Sequence, residues 1–281
     1  MRWQGRRGSS NIEDRRGMGV GLPVGGGIGG LVLLLLISAL TGTNPLDMIN
    51  SGGGSAQDQT VGTTGASEDD PQVQFVSAVL GDIEETWRKI FADQGESYAP
   101  PILVLFTNAT QSACGTGSAA MGPFYCPADR KVYLDLSFFR DLDERFGAPG
   151  DFARAYVIAH EVGHHVQTVT GVSDRLAAMR GRASETQANA LSVRQELQAD
   201  CYAGVWGHYA AQSGMLEPGD AEEGLRAAAA IGDDRLQRQS QGRVVPESFT
   251  HGSSEQRVEW LNRGLDRGRV DACDTFNLES R

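Results

Sequence analysis

The sequence lacks an excess of positive charge. Its 281 residues include 25 lysines and arginines against 36 acidic residues, which gives a net charge of −11. Residues 1–42 hold five of the arginines and two of the acids, so the remainder carries 20 basic and 34 acidic residues, a net charge of −14. Binding to nucleic acid needs clustered positive charge. We therefore expect no nucleic acid partner, and no adhesion of the folded part to anionic lipid.

Cysteine is scarce, and no two cysteines have the C-x-x-C spacing. The absence of that spacing argues against a zinc site built from thiolates. In an oxidising compartment the cysteines would form disulfides instead. Four cysteines permit three connectivities. We expect Cys114 to pair with Cys126 across a glycine-rich loop, and Cys201 with Cys273, which would link the C-terminal segment to a helix.

Long apolar runs are absent except in one place. Residues 28–40 are strongly apolar and lie within a stretch, 18–42, that has no charged residue. A helix that crosses a bilayer needs about 20 apolar residues, and this stretch reaches that length only if its glycines are counted. A cleaved signal peptide is the alternative, but the charged region before the run is long and the residues after it form a poor cleavage site. We favour an uncleaved, single-pass anchor.

These features divide the chain into four parts. Residues 1–17 read as a disordered basic cytoplasmic tail, 18–42 as a transmembrane anchor, 43–70 as a flexible linker rich in glycine and polar residues, and 71–281 as the folded domain. Arginines precede the anchor, so the positive-inside rule places the N-terminus in the cytoplasm. The prediction is a protein of the inner membrane that contacts the lipid bilayer through this one helix. Its folded domain would then be periplasmic or extracellular.

Apolar periodicity predicts an α+β domain, mainly helical with a small sheet. Helical spacing covers residues 72–94, about 185–211, 220–231 and 254–265, and strands are expected at 102–106 and 131–136. A polar connection is expected over 175–184, and a loop from the helix at 220–231 to residue 250. The strand at 132–136 is a candidate for the sheet edge to which an extended peptide substrate would add.

One stretch of the sequence reads H-E-x-x-H. On an α-helix residues four apart lie on one face, so His160 and His164 could both bind one Zn²⁺. Glu161 projects beside them, where it could take a proton from a water that the metal activates. Asp151 is a plausible N-cap for this helix. The alternative is a helix with two ordinary histidines and a surface glutamate, and a chance match in a chain this long is on the order of one percent.

A catalytic zinc ion takes three protein ligands plus water, so a further ligand is needed. Glu196 and Asp200 are four residues apart in a later helical segment and share one face. We expect Glu196 to bind the metal and Asp200 to accept a hydrogen bond from the outer nitrogen of His160. The alternative is a solvated acidic face. Apolar neighbours argue against it, because buried carboxylates without partners are costly.

The H-E-x-x-H motif followed by E-x-x-x-D resembles the glutamate-type zincin metallopeptidases. More narrowly, several segments resemble the bacterial putative neutral zinc metallopeptidase family: residues 160–167, 196–204, 231–235 and 249–260, the loop at 114–127, and the arginine-rich start with its apolar anchor. The resemblance implies a zincin-like fold and a membrane-anchored peptidase that uses Zn²⁺. It does not imply a natural substrate.

Residues near the C-terminus could complete such a site. The resemblance makes His251 the candidate donor to the developing oxyanion, because zincins of this type commonly supply one from a C-terminal segment. The alternative for His251 is a loop histidine that caps the following helix. Arg257 could orient Asp200 or form a surface pair, Asp233 reads as structural, and His208 reads as a core or surface residue.

The sequence therefore predicts a zinc metallopeptidase, a hydrolase that acts on peptide or protein substrates with Glu161 as the general base. The alternative is a membrane-tethered binding or scaffolding domain that keeps zinc for stability and cleaves nothing. The intact Glu161 argues against that alternative, because a structural metal site needs no base.

Overall fold

The computed structural model of this chain describes residues 1–17 and 70–276. The expected anchor at 18–42 and all but the last residue of the expected linker at 43–70 lie outside the described residues, so both stay predictions. Among the described residues, no helix is both long and apolar enough to cross a bilayer.

Helices make up most of the described structure, which confirms the α+β class. They are α1 (Pro71–Asp93), α2 (Ser137–Glu144), α3 (Asp151–Val169), α4 (Val172–Arg180), α5 (Glu185–Gln212), α6 (Asp220–Ala230), α7 (Asp233–Gln241) and α8 (Ser254–Arg267). Short 3₁₀ turns cover Ala119–Met121, Pro246–Ser248 and Val270–Cys273. Two of these helices were not expected: α4 fills most of the predicted polar connection, and α7 lies in the predicted loop.

The strands form one four-stranded sheet and one hairpin. The strands are β1 (Ile12–Asp14), β2 (Ile102–Phe106), β3 (Ala109–Ser112), β4 (Gly115–Ser118), β5 (Phe124–Cys126) and β6 (Lys131–Asp135). The sheet has the order β1-β2-β6-β5, in which β1, β2 and β6 are parallel and β5 runs antiparallel. The expectation that residues 132–136 form the sheet edge is therefore wrong. β6 is paired on both sides, and β1 and β5 are the two edge strands.

Residues 1–16 are part of the folded domain and do not form a disordered tail. β1 pairs in parallel with β2, in the register Ile12 to Leu103. The indole of Trp3 donates to Asp151 at 3.0 Å, and its ring packs edge-on against Phe75. The arginines of residues 1–16 predict disorder, but several pair with acidic residues of the domain. Arg6 pairs with Asp82 at 2.9 Å, and Arg16 with Asp70 at 2.6 Å. The prediction for this segment is wrong because strand pairing, the packing of Trp3 and ion pairs hold it in place without an apolar period.

This pairing constrains the topology of the protein. Residues 12–14 and 102–106 belong to one sheet, so they must lie on the same side of any membrane. A cytoplasmic position for residues 1–16 combined with a folded domain outside the cytoplasm is not compatible with this fold.

The core lies between α1, the sheet and the central pair of helices α3 and α5. Its largest fully buried side chains include Trp87, Trp206, Tyr156 and Phe152. Both expected disulfides are confirmed: Cys114 is bonded to Cys126, and Cys201 to Cys273. Helix α3 begins one residue earlier than expected, because Gly150 is the N-cap, with φ 131°, and Asp151 is the first helical residue.

Candidate active site

Two helices bring the three predicted ligands together. His160 and His164 lie on α3 and Glu196 on α5, and one donor atom of each residue falls within 4.8 Å of the others. His160 Nε2 is 3.1 Å from Glu196 Oε2, and His164 Nε2 is 3.4 Å from Glu196 Oε1. The arrangement confirms that these side chains converge on one point.

A glycine permits this convergence. A Cβ added at Gly163, between the two histidines, would lie 3.0 Å from the carbonyl oxygen of Ala199 and 3.1 Å from its Cα. Helix α3 therefore rests almost directly on the backbone of α5. The close approach places the imidazoles within reach of a carboxylate on the neighbouring helix.

Asp200 fixes the orientation of His160 from behind. Its Oδ1 accepts from Tyr156 Oη at 2.6 Å and lies 2.8 Å from His160 Nδ1. Arg257 donates to both oxygens of Asp200, from Nε at 2.8 Å and from Nη2 at 2.9 Å. His160 can thus present Nε2 to a metal while the carboxylate of Asp200 holds Nδ1, as predicted. Of the two roles considered for Arg257, the structure shows the one in which it orients Asp200.

The charges in this cluster shift one another's protonation. Burial disfavours a charged Asp200, but the nearby Arg257 and His160 outweigh it and lower the pKa of Asp200 to about 2. Burial likewise opposes protonation of His160, yet the carboxylates of Asp200 and Glu196 raise its pKa to about 10. Burial also raises the pKa of Glu196, but the two histidines lower it well below its usual value. Asp200 and Glu196 are therefore ionised and able to face a cation.

His164 has a supporting network of its own, made of glutamines. Its Nδ1 lies 2.9 Å from Gln167 Oε1, and Gln167 Nε2 donates to the backbone oxygen of Gln195 and to Gln198 Oε1. Gln198 in turn donates to the backbone oxygen of Cys273, next to the disulfide. Sequence reasoning missed this network, although Gln167 lies three residues after His164, a spacing that puts two side chains on one helical face.

Glu161 is almost buried and lines a cleft with the three candidate ligands. Burial raises its pKa, while the neighbouring histidines act in the opposite direction. A carboxylate in such surroundings is a better base than one in water.

His251 lines the same cleft. Its Nδ1 is 3.3 Å from Asp233 Oδ1, while Asp233 Oδ2 accepts from the backbone N–H groups of Thr250, His251 and Gly252. The hydrogen bond that His251 donates to Asp233 raises the pKa of His251 against the effect of burial. The structural reading of Asp233 therefore holds, and it also orients His251.

The cleft has a volume of 630 Å³. Beside the candidate ligands it is lined on one side by the edge strand β5, and its apolar wall consists of Met121, Phe138, Phe146, Val157, Ile231 and Leu236. The last turn of α3 and helix α4 line a more polar wall with Thr168, Ser173 and Arg180. The cleft is thus open to an extended chain that runs past the three converging side chains.

Besides His251, two further histidines lie outside the candidate ligand set. His165 Nε2 is 2.7 Å from the backbone oxygen of Ala99, and its Nδ1 is 3.2 Å from Tyr125 Oη, which ties α3 to β5. His208 Nδ1 is 2.7 Å from the backbone oxygen of Leu265, so it joins α5 to α8, far along the chain from the site. The reading of His208 as a structural residue agrees with this contact.

The donor set fits a zinc ion. Two imidazole nitrogens and a carboxylate oxygen are ligands that zinc accepts in catalytic sites, where one further position stays open. Ligand atoms around tetrahedral zinc lie about 3.3 Å apart, given the bond lengths typical of zinc in proteins. The histidine nitrogens lie 3.1 and 3.4 Å from the two different oxygens of Glu196, near that spacing, and the three donor atoms lie within 4.8 Å of one another.

The fold and the site thus define an H-E-x-x-H protein with a candidate metal centre beside an edge strand. The family model described as "Putative neutral zinc metallopeptidase" matches residues 1–276, and the chain belongs to that family. The match includes residues 1–16, the segment that supplies β1.

Curated relatives support the same membership. The chain is 50% identical over 285 residues to the uncharacterized protein YpfJ of Escherichia coli (strain K12), and the match covers 98% of this chain and 99% of that one. It is 43% identical over 213 residues to the uncharacterized protein Rv2575 of Mycobacterium tuberculosis (strain ATCC 25618 / H37Rv), which covers 72% of this chain and 70% of that one. No solved structure matches the chain significantly.

Proposed function

We propose that this protein is a zinc-dependent peptidase. The observation that carries the proposal is the convergence of His160, His164 and Glu196 in a cleft that Glu161 also lines. Zinc bound at such a site supplies polarisation of the scissile carbonyl and acidification of a water molecule. The family name supports a hydrolase of this class.

In this proposal each residue of the cleft has a separate task. Glu161 takes the proton of the attacking water and returns it to the leaving amine. His251, held by Asp233, donates a hydrogen bond to the oxyanion that develops on the scissile carbonyl. Asp200 and Gln167 keep the two imidazoles in the orientation that binds metal.

The arrangement supports a zincin-like catalytic unit. A helix that carries H-E-x-x-H rests against a second helix that carries the glutamate, and an edge strand borders the cleft. We propose that an extended peptide adds to β5, because its outer edge is unpaired among the described strands. The apolar wall around Val157 and Phe146 favours a substrate with a large apolar side chain next to the scissile bond.

We propose that the folded unit, including residues 1–16, works outside the cytoplasm. Disulfides persist in oxidising compartments and are rare in the cytosol. The bonds Cys114–Cys126 and Cys201–Cys273 support that location. The single pass through the inner membrane that the sequence predicts for residues 18–42 would put residues 1–16 and 70–276 on opposite sides, so it is not part of this proposal.

Replacing the proposed base tests the mechanism. Glu161→Gln keeps the shape of the side chain but removes its basicity, so the purified full chain should bind zinc stoichiometrically and lose about 10²-fold or more of its cleavage rate. The measurements are zinc content and hydrolysis of casein or a peptide library, with and without chelator. Wild-type turnover by the variant would contradict the role of Glu161.

The same assay separates the peptidase from a zinc-stabilised binding domain. A binding domain would hold zinc and unfold more readily with chelator, yet the wild-type chain would cleave none of the peptides. Stoichiometric zinc without any cleavage would therefore favour the binding domain.

A further inference from the structure

Arg180 is a cation in the cleft that pairs with no carboxylate among residues 1–17 and 70–276. Its Nη2 donates to the side-chain oxygen of Gln195 at 2.5 Å, and its Nε is shielded from solvent without a hydrogen-bond partner in that part of the chain. A shielded guanidinium nitrogen without a hydrogen-bond partner is uncommon in folded proteins, so this one needs an explanation.

The position of Arg180 places it beside the proposed reaction centre. It ends helix α4 and is anchored on Gln195, the residue directly before the candidate ligand Glu196. Arg180 also lines the same cleft as His164 and Thr168. Its charge therefore faces the space through which a substrate would pass.

The two walls of the cleft differ in chemistry along α3. Val157, on the apolar wall, and Thr168, on the polar wall, are separated by about 16 Å along the helix at its normal rise. The candidate ligands lie between them. Thr168 follows His164 by one turn, about 6 Å, which is the length of roughly two residues of an extended peptide.

We propose that Arg180 binds a carboxylate of the substrate, within about two residues of the scissile bond. Arginine is suited to this because its planar guanidinium donates two parallel hydrogen bonds to a carboxylate. Gln195 holds Nη2 in place and leaves the charge unneutralised, so a bound carboxylate would offset the cost of an unpaired cation at the wall. The inference rests on the proposed peptidase function and adds a preference for acidic or free-carboxylate peptides.

The carboxylate could come from a glutamate or aspartate side chain or from the C-terminus of a peptide. Two pairs of peptides distinguish these sources. In the first pair, both C-terminally amidated, one glutamate near a central phenylalanine is replaced by glutamine. In the second pair, without acidic side chains, the C-terminus is either free or amidated.

The test compares kcat/KM for these peptides among the wild-type full chain, Arg180→Gln and the control Arg182→Gln. Arg182 is exposed, lies two residues away and does not line the cleft. The wild type and the control should prefer one of the carboxylate peptides by about tenfold, as expected for a hydrogen bond to a charged group. Arg180→Gln should lose that preference through KM, with its zinc content unchanged. A preference that survives in Arg180→Gln, or no preference in the wild type, would overturn the proposal.

Binding measurements keep the two proposals separable. The same peptides, labelled with a fluorophore, are titrated against Glu161→Gln and against the double variant Glu161→Gln/Arg180→Gln, so that no cleavage is needed. The double variant should bind the carboxylate peptide about tenfold more weakly than Glu161→Gln, and this difference should shrink at high salt. That result supports the role of Arg180 even if the wild type cleaves nothing. Equal affinities would overturn it while leaving the peptidase proposal intact.

Discussion

At the scale of single residues, the ion pair between Asp200 and Arg257 supports the whole site. Asp200 is fully buried and Arg257 is nearly so, and their 2.8 Å contact lies directly behind His160. A buried charge is tolerated only with its partner, so removal of one member exposes the other to the full cost of desolvation. When Asp200 is displaced or protonated as a result, His160 loses the carboxylate that orients it.

We predict that Arg257→Met destabilises the protein by about 3–5 kcal/mol, the range expected when a buried ion pair loses one partner. Chemical denaturation of the full chain measures this. Arg267→Met is the matched control, because Arg267 is exposed at the end of the same helix and its loss should cost within about 0.5 kcal/mol. A similar stability for both variants would show that Arg257 is not needed to hold Asp200.

The protonation of His251 gives a second prediction at this scale. Asp233 raises the pKa of His251, burial opposes the shift, the charge of Glu196 adds to it and Arg257 acts against it. A group with a raised pKa keeps its proton below that value and loses it as pH rises through it. If protonated His251 donates to the oxyanion, the alkaline limb of the kcat/KM profile reports its pKa.

Asp233→Asn removes the negative charge, so the alkaline limb should move to lower pH while zinc content stays unchanged. Asp234→Asn is the control, because Asp234 accepts from Ser254 and not from His251. An alkaline limb at the same pH in wild type and Asp233→Asn would rule out His251 as the titrating donor.

At the scale of secondary structure, close helix crossings set the geometry of the site. A Cβ at Gly204 on α5 would lie 2.2 Å from the backbone oxygen of Leu261 on α8, and one at Gly264 would lie 2.1 Å from that of Cys201. Both helices therefore need glycine where they cross. This crossing carries Arg257, on α8, to Asp200, on α5.

We predict that Gly204→Ala forces α5 and α8 apart, costs at least about 1–3 kcal/mol as overpacking does, and lowers zinc affinity by displacing Arg257. Gly181→Ala is the control, since its nearest atom would be 3.7 Å away, and it should be neutral or slightly stabilising. Denaturation and zinc titration are the measurements. Unchanged zinc affinity in Gly204→Ala would contradict the role of the crossing.

The parts of the site that could be predicted from the sequence are those fixed by local helical spacing. His160, His164, Glu196 and Asp200 each have a partner four residues away, and the structure confirms that the first three converge. The order of strands depends on contacts distant in the chain, so the mistaken edge at β6 had no local signal against it. Gln195 and Arg180 come into contact only because α4 forms. That contact could not be predicted, because the polar sequence of 175–184 indicated a connection without a helix.

At the scale of the whole molecule, β1 makes residues 1–16 part of the folded domain. Ile12-Glu13-Asp14 has no apolar alternation, so the sequence gives no strand signal there. Its stability comes from pairing with β2, from Trp3 against α1 and α3, and from arginines bonded to acids. A fragment that starts at residue 71 would lack all of these, so experiments on the site need the full chain.

The shared sheet predicts that residues 1–16 and 70–276 occupy one compartment. An epitope tag beside Gly5 and one beside Gly242 test this, because both glycines are exposed and a side chain there would meet no atom within 4 Å. In spheroplasts with an intact inner membrane, antibodies should reach both tags, since the disulfides favour a site outside the cytoplasm. Lysis should not increase either signal. A tag at Gly5 that is detected only after lysis, with the tag at Gly242 detected before, would show that β1 does not join the sheet in the cell, because a strand cannot pair across a bilayer.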